Sequence, residues 1–240
     1  MRLDKFLSDC GVGTRSQVKK DIRDGRVCVN GEICRSPETK ISPESDTVSF
    51  QGRTLGYRGF EYYMLNKPAG CVCAARDNLH STIFDWIPMN PRKDLAAVGR
   101  LDLDTEGLLL VTNDGALSHR LLSPRHHVDK LYEARVSGRL AEEDIAAFAR
   151  GIDIGDEKPT LPAELVIAVS GEESLCRVTI HEGRYHQIKR MFHGLGKEVL
   201  WLKRLQMGTF VLDEKLAPGE WRRLNERELE DVEKYKGGHL

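Results

Sequence analysis

Runs of β-forming residues outnumber helical patterns along this 240-residue chain and do not alternate with them. Strand-like runs fall at 62–65, 70–74, 96–98, 108–112, 131–136, 176–180 and 199–202, and helical patterns at 117–122, 141–150, 187–195 and 226–235. Regular alternation would predict a doubly wound parallel sheet. This order predicts an α+β fold with a mixed, mainly antiparallel sheet. The chain is long enough for one large domain or two smaller ones. Its 40% hydrophobic and 30% charged residues predict a soluble globular protein rather than a disordered one. No apolar run approaches the roughly 18 residues of a spanning helix, so no membrane partner is expected. The start, Met1-Arg2-Leu3-Asp4-Lys5-Phe6, carries no apolar leader, which predicts a cytoplasmic protein with reduced thiols.

The first fifty-odd residues read as a separate small unit. Leu3, Phe6 and Leu7 fall at helical spacing, and Cys10-Gly11 ends that helix. Thr14 with Gln17 three residues on predicts a capping box for a second helix, with Val18 and Ile22 on its apolar face and Gly25 at its end. Asn30-Gly31 between short β-rich runs at 26–29 and 32–34 predicts a tight hairpin. A further strand is expected at 47–50. The polar, glycine-containing stretch 51–59 reads as a linker. Expected domains are therefore 1–58 and 59–240.

Several motif fragments fail on inspection. Gly11-Val12-Gly13 follows a helix rather than a strand and has Ser16 where a dinucleotide fingerprint needs glycine. Gly196-Lys197 lacks the rest of a phosphate loop. His181 and His186 are five apart, not the four that place two zinc ligands on one helix face. The six cysteines at 10, 28, 34, 71, 73 and 176 contain no CxxC and read as structural thiols, with Cys71 and Cys73 at alternating strand positions. No metal or other cofactor is expected.

The net charge of −1 hides an uneven distribution. Residues 184–204 carry six Lys/Arg and one acid (6 − 1 = +5), whereas 141–175 carry two bases and nine acids (2 − 9 = −7). This predicts one stretch available to a polyanion and another that maintains solubility. On the second helix Arg15, Lys19, Lys20 and Arg23 recur every three to four residues, with Arg26 just beyond, as a phosphate-binding face would require. The same charges also suit an ordinary solvated helix surface. Helix–turn–helix–hairpin is the more specific signal, and it resembles the S-four-type RNA-binding domain attached to RNA-modifying enzymes.

The densest segment is Gly99-Arg100-Leu101-Asp102-Leu103-Asp104-Thr105-Glu106-Gly107, followed by Leu108-Leu109-Leu110. It reads as a strand end, a turn and a new strand, with Asp102 at the mouth of the turn. Asp102 or Asp104 could simply cap the turn, or the pair could hold magnesium for a nuclease or phosphotransferase. Arg100-Leu101-Asp102-x-x-Thr105-x-Gly107 resembles the signature of pseudouridine synthases. Three more blocks resemble that family in the same order: Asn66-Lys67-Pro68-Ala69-Gly70, Lys130-Leu131-Tyr132, and Glu182-Gly183-Arg184-Tyr185-His186-Gln187-Ile188-Lys189-Arg190-Met191-Phe192. The resemblance is to the RsuA-type ribosomal RNA enzymes, and Ser123-Pro124-Arg125-His126-His127 is most similar to the small-subunit (16S) branch. Lys189 departs from the wider superfamily, where arginine is common; lysine keeps the charge without the planar fork.

The resemblance implies isomerisation of a specific uridine in ribosomal RNA to pseudouridine. Asp102 would be the essential carboxylate, by attack on C1′ or removal of the C2′ proton. Lys189 would be its cationic partner, and Tyr132 the stacking partner for the uracil. Arg100 and Arg184 would join Arg15, Lys19, Lys20, Arg23 and Arg26 as RNA contacts. The expected partner is ribosomal RNA, 16S or an assembling small subunit, acted on by a monomer. The same chemistry on 23S RNA, and a non-catalytic ribosome-assembly factor, are the alternatives.

Overall fold

The computed structural model describes residues 1–56, 59–87 and 94–238, which form two compact units: the first runs to Glu61 and also takes in Asp94 and Leu95, and the second begins at Tyr62 and holds the rest.

The first unit opens with helices α1 (Leu3–Asp9) and α2 (Arg15–Arg23). Strands β1 (Val27–Val29), β2 (Glu32–Ile33), β3 (Val48–Phe50) and β4 (Arg53–Leu55) make an antiparallel sheet in the order β2-β1-β3-β4. Leu3, Phe6 and Leu7 of α1 pack with Val18 and Ile22 of α2 and with Val27 and Val48 of the sheet. Asn30 and Gly31 both take positive φ, 53° and 86°, as a two-residue hairpin turn demands. The capping box is only half made. Thr14 accepts from the Gln17 amide, but the Gln17 side chain donates forward to Asp21 instead of back to the cap. The expected linker also begins too early. Gln51 and Gly52 repeat the left-handed pair of a hairpin turn, and β4 follows inside 51–59. Because β4 is mostly exposed, it lacks the apolar alternation that would have marked it as a strand.

In the second unit, nine strands form one sheet: β5 (Tyr62–Lys67), β8 (Ala96–Ala97), β9 (Glu106–Thr112), β10 (Lys130–Ser137), β11 (Glu164–Val169), β12 (Glu173–Ile180), β13 (Val199–Met207), β14 (Phe210–Val211) and β15 (Trp221–Arg223). The order is β11-β12-β10-β13-β9-β5-β15, with β14 on β13 and β8 on β9. Two short strands, β6 (Cys71–Val72) and β7 (Ser81–Thr82), pair separately, so the strand expected at 70–74 ends before Cys73. All pairings of the large sheet are antiparallel except β9 with β13. Helices α4 (Glu142–Arg150) and α5 (Gln187–Gly194) cover one core through Phe148, Ile188, Met191 and Phe192. Helices α3 (Gly115–Leu122) and α6 (Glu226–Gly237) cover a second through Leu117, Leu121, Val232 and Tyr235.

The parallel β9–β13 pair positions the functional region. Its register sets Lys203 beside Glu106 and Arg204 beside Gly107, so the middle of β13 meets the start of β9, where the 98–105 turn arrives. Only glycine fits at 107: a Cβ there would lie 2.2 Å from the Arg204 carbonyl oxygen. The small residue of the Thr-Glu-Gly block is therefore a strand-packing requirement.

Candidate active site

The 98–105 turn is held by the chain around Asn66-Lys67-Pro68-Ala69-Gly70. Lys67, fully buried, donates from Nζ to the carbonyl oxygens of Thr105 (2.9 Å), Asp102 (3.0 Å) and Pro68 (3.1 Å), with Leu103 at 3.4 Å. The Gly70 amide donates to the Leu103 carbonyl at 2.7 Å. The Leu101 amide donates to Cys73 Sγ at 3.3 Å. Burial pushes the Lys67 ammonium below the ordinary lysine range, while nearby thiols and carboxylates oppose the shift. With its backbone so anchored, the turn directs Asp102 into a cavity of about 260 Å³.

Asp102, Tyr132, Lys189, Arg100 and Arg184 all line this one cavity, although they come from widely separated stretches of sequence. On β10 the inward residues alternate, so Lys130 and Tyr132 share a face. Tyr132 lies opposite Arg204 across the β10–β13 ladder, and their side chains project to the same side. Lys189 comes from the first turn of α5, which His186 introduces with a left-handed φ of 49°. Ser123 and Pro124, the start of the block that resembles the small-subunit branch, also line the cavity.

The electrostatics differ in detail from the expected Asp102–Lys189 pair. Lys189 Nζ lies 3.6 Å from Asp102 Oδ2, but its direct hydrogen bond goes to Asp104 Oδ1. Partial burial would raise the Asp104 carboxyl; the bond and charge of Lys189 prevail and hold it below the usual range. His186 Nε2 approaches Asp102 Oδ1 at 3.5 Å, and the exposed Tyr185 ring stacks on the His186 ring with centroids 3.8 Å apart.

Arg184 is committed to its own fold. It donates to Glu182 and to the carbonyls of Lys158 and Pro159, and lies 3.5 Å from Asp156. Its charge is thus largely balanced within the protein. Arg100 is exposed and has no ion-pair partner among the described residues. The expected basic and acidic stretches are not separate, because the fold pairs some of their charges with each other. Arg190 pairs with Asp156 and Lys197 with Asp144, and Arg190, with Arg184, holds Asp156 below the usual carboxylate range. Segment counting missed this because the fold brings the stretches together.

In the first unit Arg15, Lys20 and Arg23 are exposed along α2. Lys19 lies 3.9 Å from Asp4. Arg26 is bound to Asp21 at 2.8 Å and sits 3.5 Å from Asp24, so much of its charge is compensated.

Four residues near Asp102 escaped the sequence reading: Lys67, Lys130, His186 and Arg204. Lys67, Lys130 and His186 lie within the quoted blocks without an assigned role. Arg204 had one available signal, since strand alternation from Leu202 places it inward.

The family described as RNA pseudouridylate synthase matches residues 61–194, and the S4 domain matches residues 1–48. The chain is 43% identical over 234 residues to the ribosomal small subunit pseudouridine synthase A of Escherichia coli (strain K12), covering 97% of this chain and all of that one. It is 42% identical over 231 residues to an uncharacterized RNA pseudouridine synthase of Bacillus subtilis (strain 168), covering 95% and 97%. A crystal structure of a pseudouridylate synthase shares 43% identity and a TM-score of 0.68, over 97% of this chain and 99% of that one.

Proposed function

Because the chain belongs to the RNA pseudouridylate synthase family and is an RNA pseudouridine synthase, we propose that it converts one uridine of small-subunit (16S) ribosomal RNA to pseudouridine, with Asp102 as the essential carboxylate. Similarity along nearly the full length to enzymes named for the small subunit supports this substrate. The observation that carries the catalytic assignment is the meeting of Asp102, Tyr132 and Lys189 in one cavity.

The reaction is an isomerisation. The N1–C1′ bond breaks, the uracil turns, C5 bonds to C1′, the C5 proton leaves and N1 gains one. Attack at C1′ and proton removal at C2′ both require a carboxylate beside the ribose. Lys189 sets a positive charge 3.6 Å from the Asp102 carboxylate, and His186 lies 3.5 Å away on its other oxygen. A base stacked in RNA cannot reach Asp102, so the nucleotide must be flipped out, at a cost of a few kcal/mol. The Tyr132 ring gives the base a stacking surface. Residues 1–58 serve as the RNA-binding domain and 59–240 as the catalytic domain. Exposed Arg15, Lys20 and Arg23 contact phosphates, assisted by Lys19, Arg26 and Arg100; Arg184 supports the cavity wall. The enzyme acts in the cytoplasm as a monomer.

Pseudouridine mapping of both large ribosomal RNAs, with and without the gene, tests the substrate. Loss of one site in 16S RNA, restored by the wild-type gene but not by Asp102→Asn, is expected. Loss confined to 23S RNA would reassign the substrate. Unchanged maps would leave RNA binding alone.

A further inference from the structure

Two cations lining the cavity have no counter-ion among the described residues. Arg204 is only 2% exposed and Lys130 only 8%. Both line the cavity that holds Asp102, and neither has a carboxylate within ion-pair distance among the described residues. Arg204 Nε donates to the Leu108 carbonyl at 2.8 Å, but its Nη2 is buried with no hydrogen-bond partner. Lys130 Nζ reaches the Val128 carbonyl at 2.8 Å, leaving further donor capacity. Thr105 Oγ1, on the same cavity wall, is also buried and unpaired.

Burying two like charges without acids is expensive, and an unsatisfied buried donor adds to the cost. Such an arrangement is intelligible where a ligand completes it. Asp102 already has the Lys189 ammonium at 3.6 Å, so it does not require this second pair as counter-ions. Exposed Arg100 is better placed for RNA phosphates than groups this deeply buried.

Resting on the pseudouridine synthase reading, we infer that Arg204 and Lys130 form a cationic pair that hydrogen-bonds the carbonyl oxygens of the flipped uracil and stabilises the negative charge it gains when N1–C1′ breaks. The bonding electron pair leaves with N1 and spreads onto O2 and O4, both hydrogen-bond acceptors. The charge disappears once C5 has bonded C1′, the C5 proton has left and N1 has taken one up. Fixed donors aimed at charge that develops during reaction contribute more to rate than to binding.

The test uses the full chain and an RNA fragment containing the mapped uridine, under single-turnover conditions with enzyme in excess. Arg204→Met is expected to slow pseudouridine formation by about 10²–10³-fold, the effect of removing one preorganised donor, while the RNA Kd changes less than about threefold. Lys130→Met is expected to slow it by at least roughly tenfold on the same principle. Substituting sulfur for O2 or O4 of the target uridine weakens the acceptor. At the oxygen Arg204 contacts, the thio effect should be large in wild type and small in Arg204→Met. Circular dichroism and thermal melting establish that each variant is folded; if Arg204→Met is not, Lys130→Met with the same thio substrates decides. Wild-type rates in the folded variants would overturn the inference. So would weakened RNA binding at an unchanged chemical rate, which would mark a phosphate contact, or fully additive thio and side-chain effects. Absence of product with wild-type enzyme would instead overturn the reading on which the inference rests.

Discussion

The ammonium of Lys67 donates to the backbone carbonyl of Asp102 across 3.0 Å, while the Asp102 side chain faces the cavity. The residue assigned to the chemistry is thus located through its backbone, leaving its carboxylate available. Two sequence blocks that looked independent are a turn and the clamp that holds it.

Lys67→Met should leave the carbonyls of Asp102, Leu103 and Thr105 without their shared donor. A loss of about 3 kcal/mol in unfolding free energy is expected, as for other buried polar networks deprived of one partner. The turnover rate should fall with it, because the turn loosens. Unchanged urea midpoint and rate would show that the clamp is dispensable.

Asp102→Asn should abolish detectable turnover while RNA binding persists. Asp104→Asn should cost less than about tenfold, since removing one exposed salt-bridge partner is worth at most about 1 kcal/mol. Lys189→Met should lower the rate strongly and Lys189→Arg less so, because Lys189 bridges toward both acids. Equal loss from Asp102→Asn and Asp104→Asn, with folding intact, would contradict a single essential carboxylate.

Lys130 gives stability an alkaline signature. Burial, reinforced by Arg204 and opposed by Asp129, lowers its pKa from 10.5 to about 8. The unfolded chain therefore binds the proton more tightly than the native state. Below pH 8 both states are charged and the native state bears the full burial penalty; between 8 and 10.5 this contribution fades and stability rises. The gain approaches about 3 kcal/mol, using 1.36 kcal/mol per pKa unit. Denaturant unfolding of wild type and Lys130→Met at pH 7.5 and 10 isolates it. Parallel pH profiles would rule out a depressed Lys130.

Replacing Arg15, Lys20 and Arg23 together with glutamine should weaken RNA binding and flatten the dependence of log K on log salt. The slope should fall by about 0.7 per contact on single strands and about 0.9 on duplex. The single-turnover rate at saturation should hold. Arg26→Gln should change the slope less, because Asp21 and Asp24 already balance that charge. An unaltered slope in the triple variant would leave α2 as an ordinary solvated surface.

Local signals were legible where a few adjacent residues decide the conformation. Asn30-Gly31 specifies a turn by its own backbone preferences. Exposed strands were not: β11, at the sheet edge, is apolar in sequence but buries only Leu165 and is absent from the expected strands, and β4 falls inside the stretch that reads as a linker. Asp102 and Tyr132 stood out through their blocks, whereas Arg204 looked like one more base in a basic stretch. Alternation from Leu202 turns it inward, but its place beside Gly107 at the cavity depends on the β9–β13 register, which no local window contains.

That register also governs when the site can exist. Arg204 and Leu108, joined by a hydrogen bond, are 96 residues apart, and Lys189 and Asp104 are 85 apart. Contacts of such separation form late, after the entropy of closing long loops has been overcome, and they slow folding. During synthesis the Asp102 turn emerges well before α5 and β13. An emerging chain would therefore hold its carboxylate without the cations that surround it, and competence would come only when β13 inserts between β9 and β10.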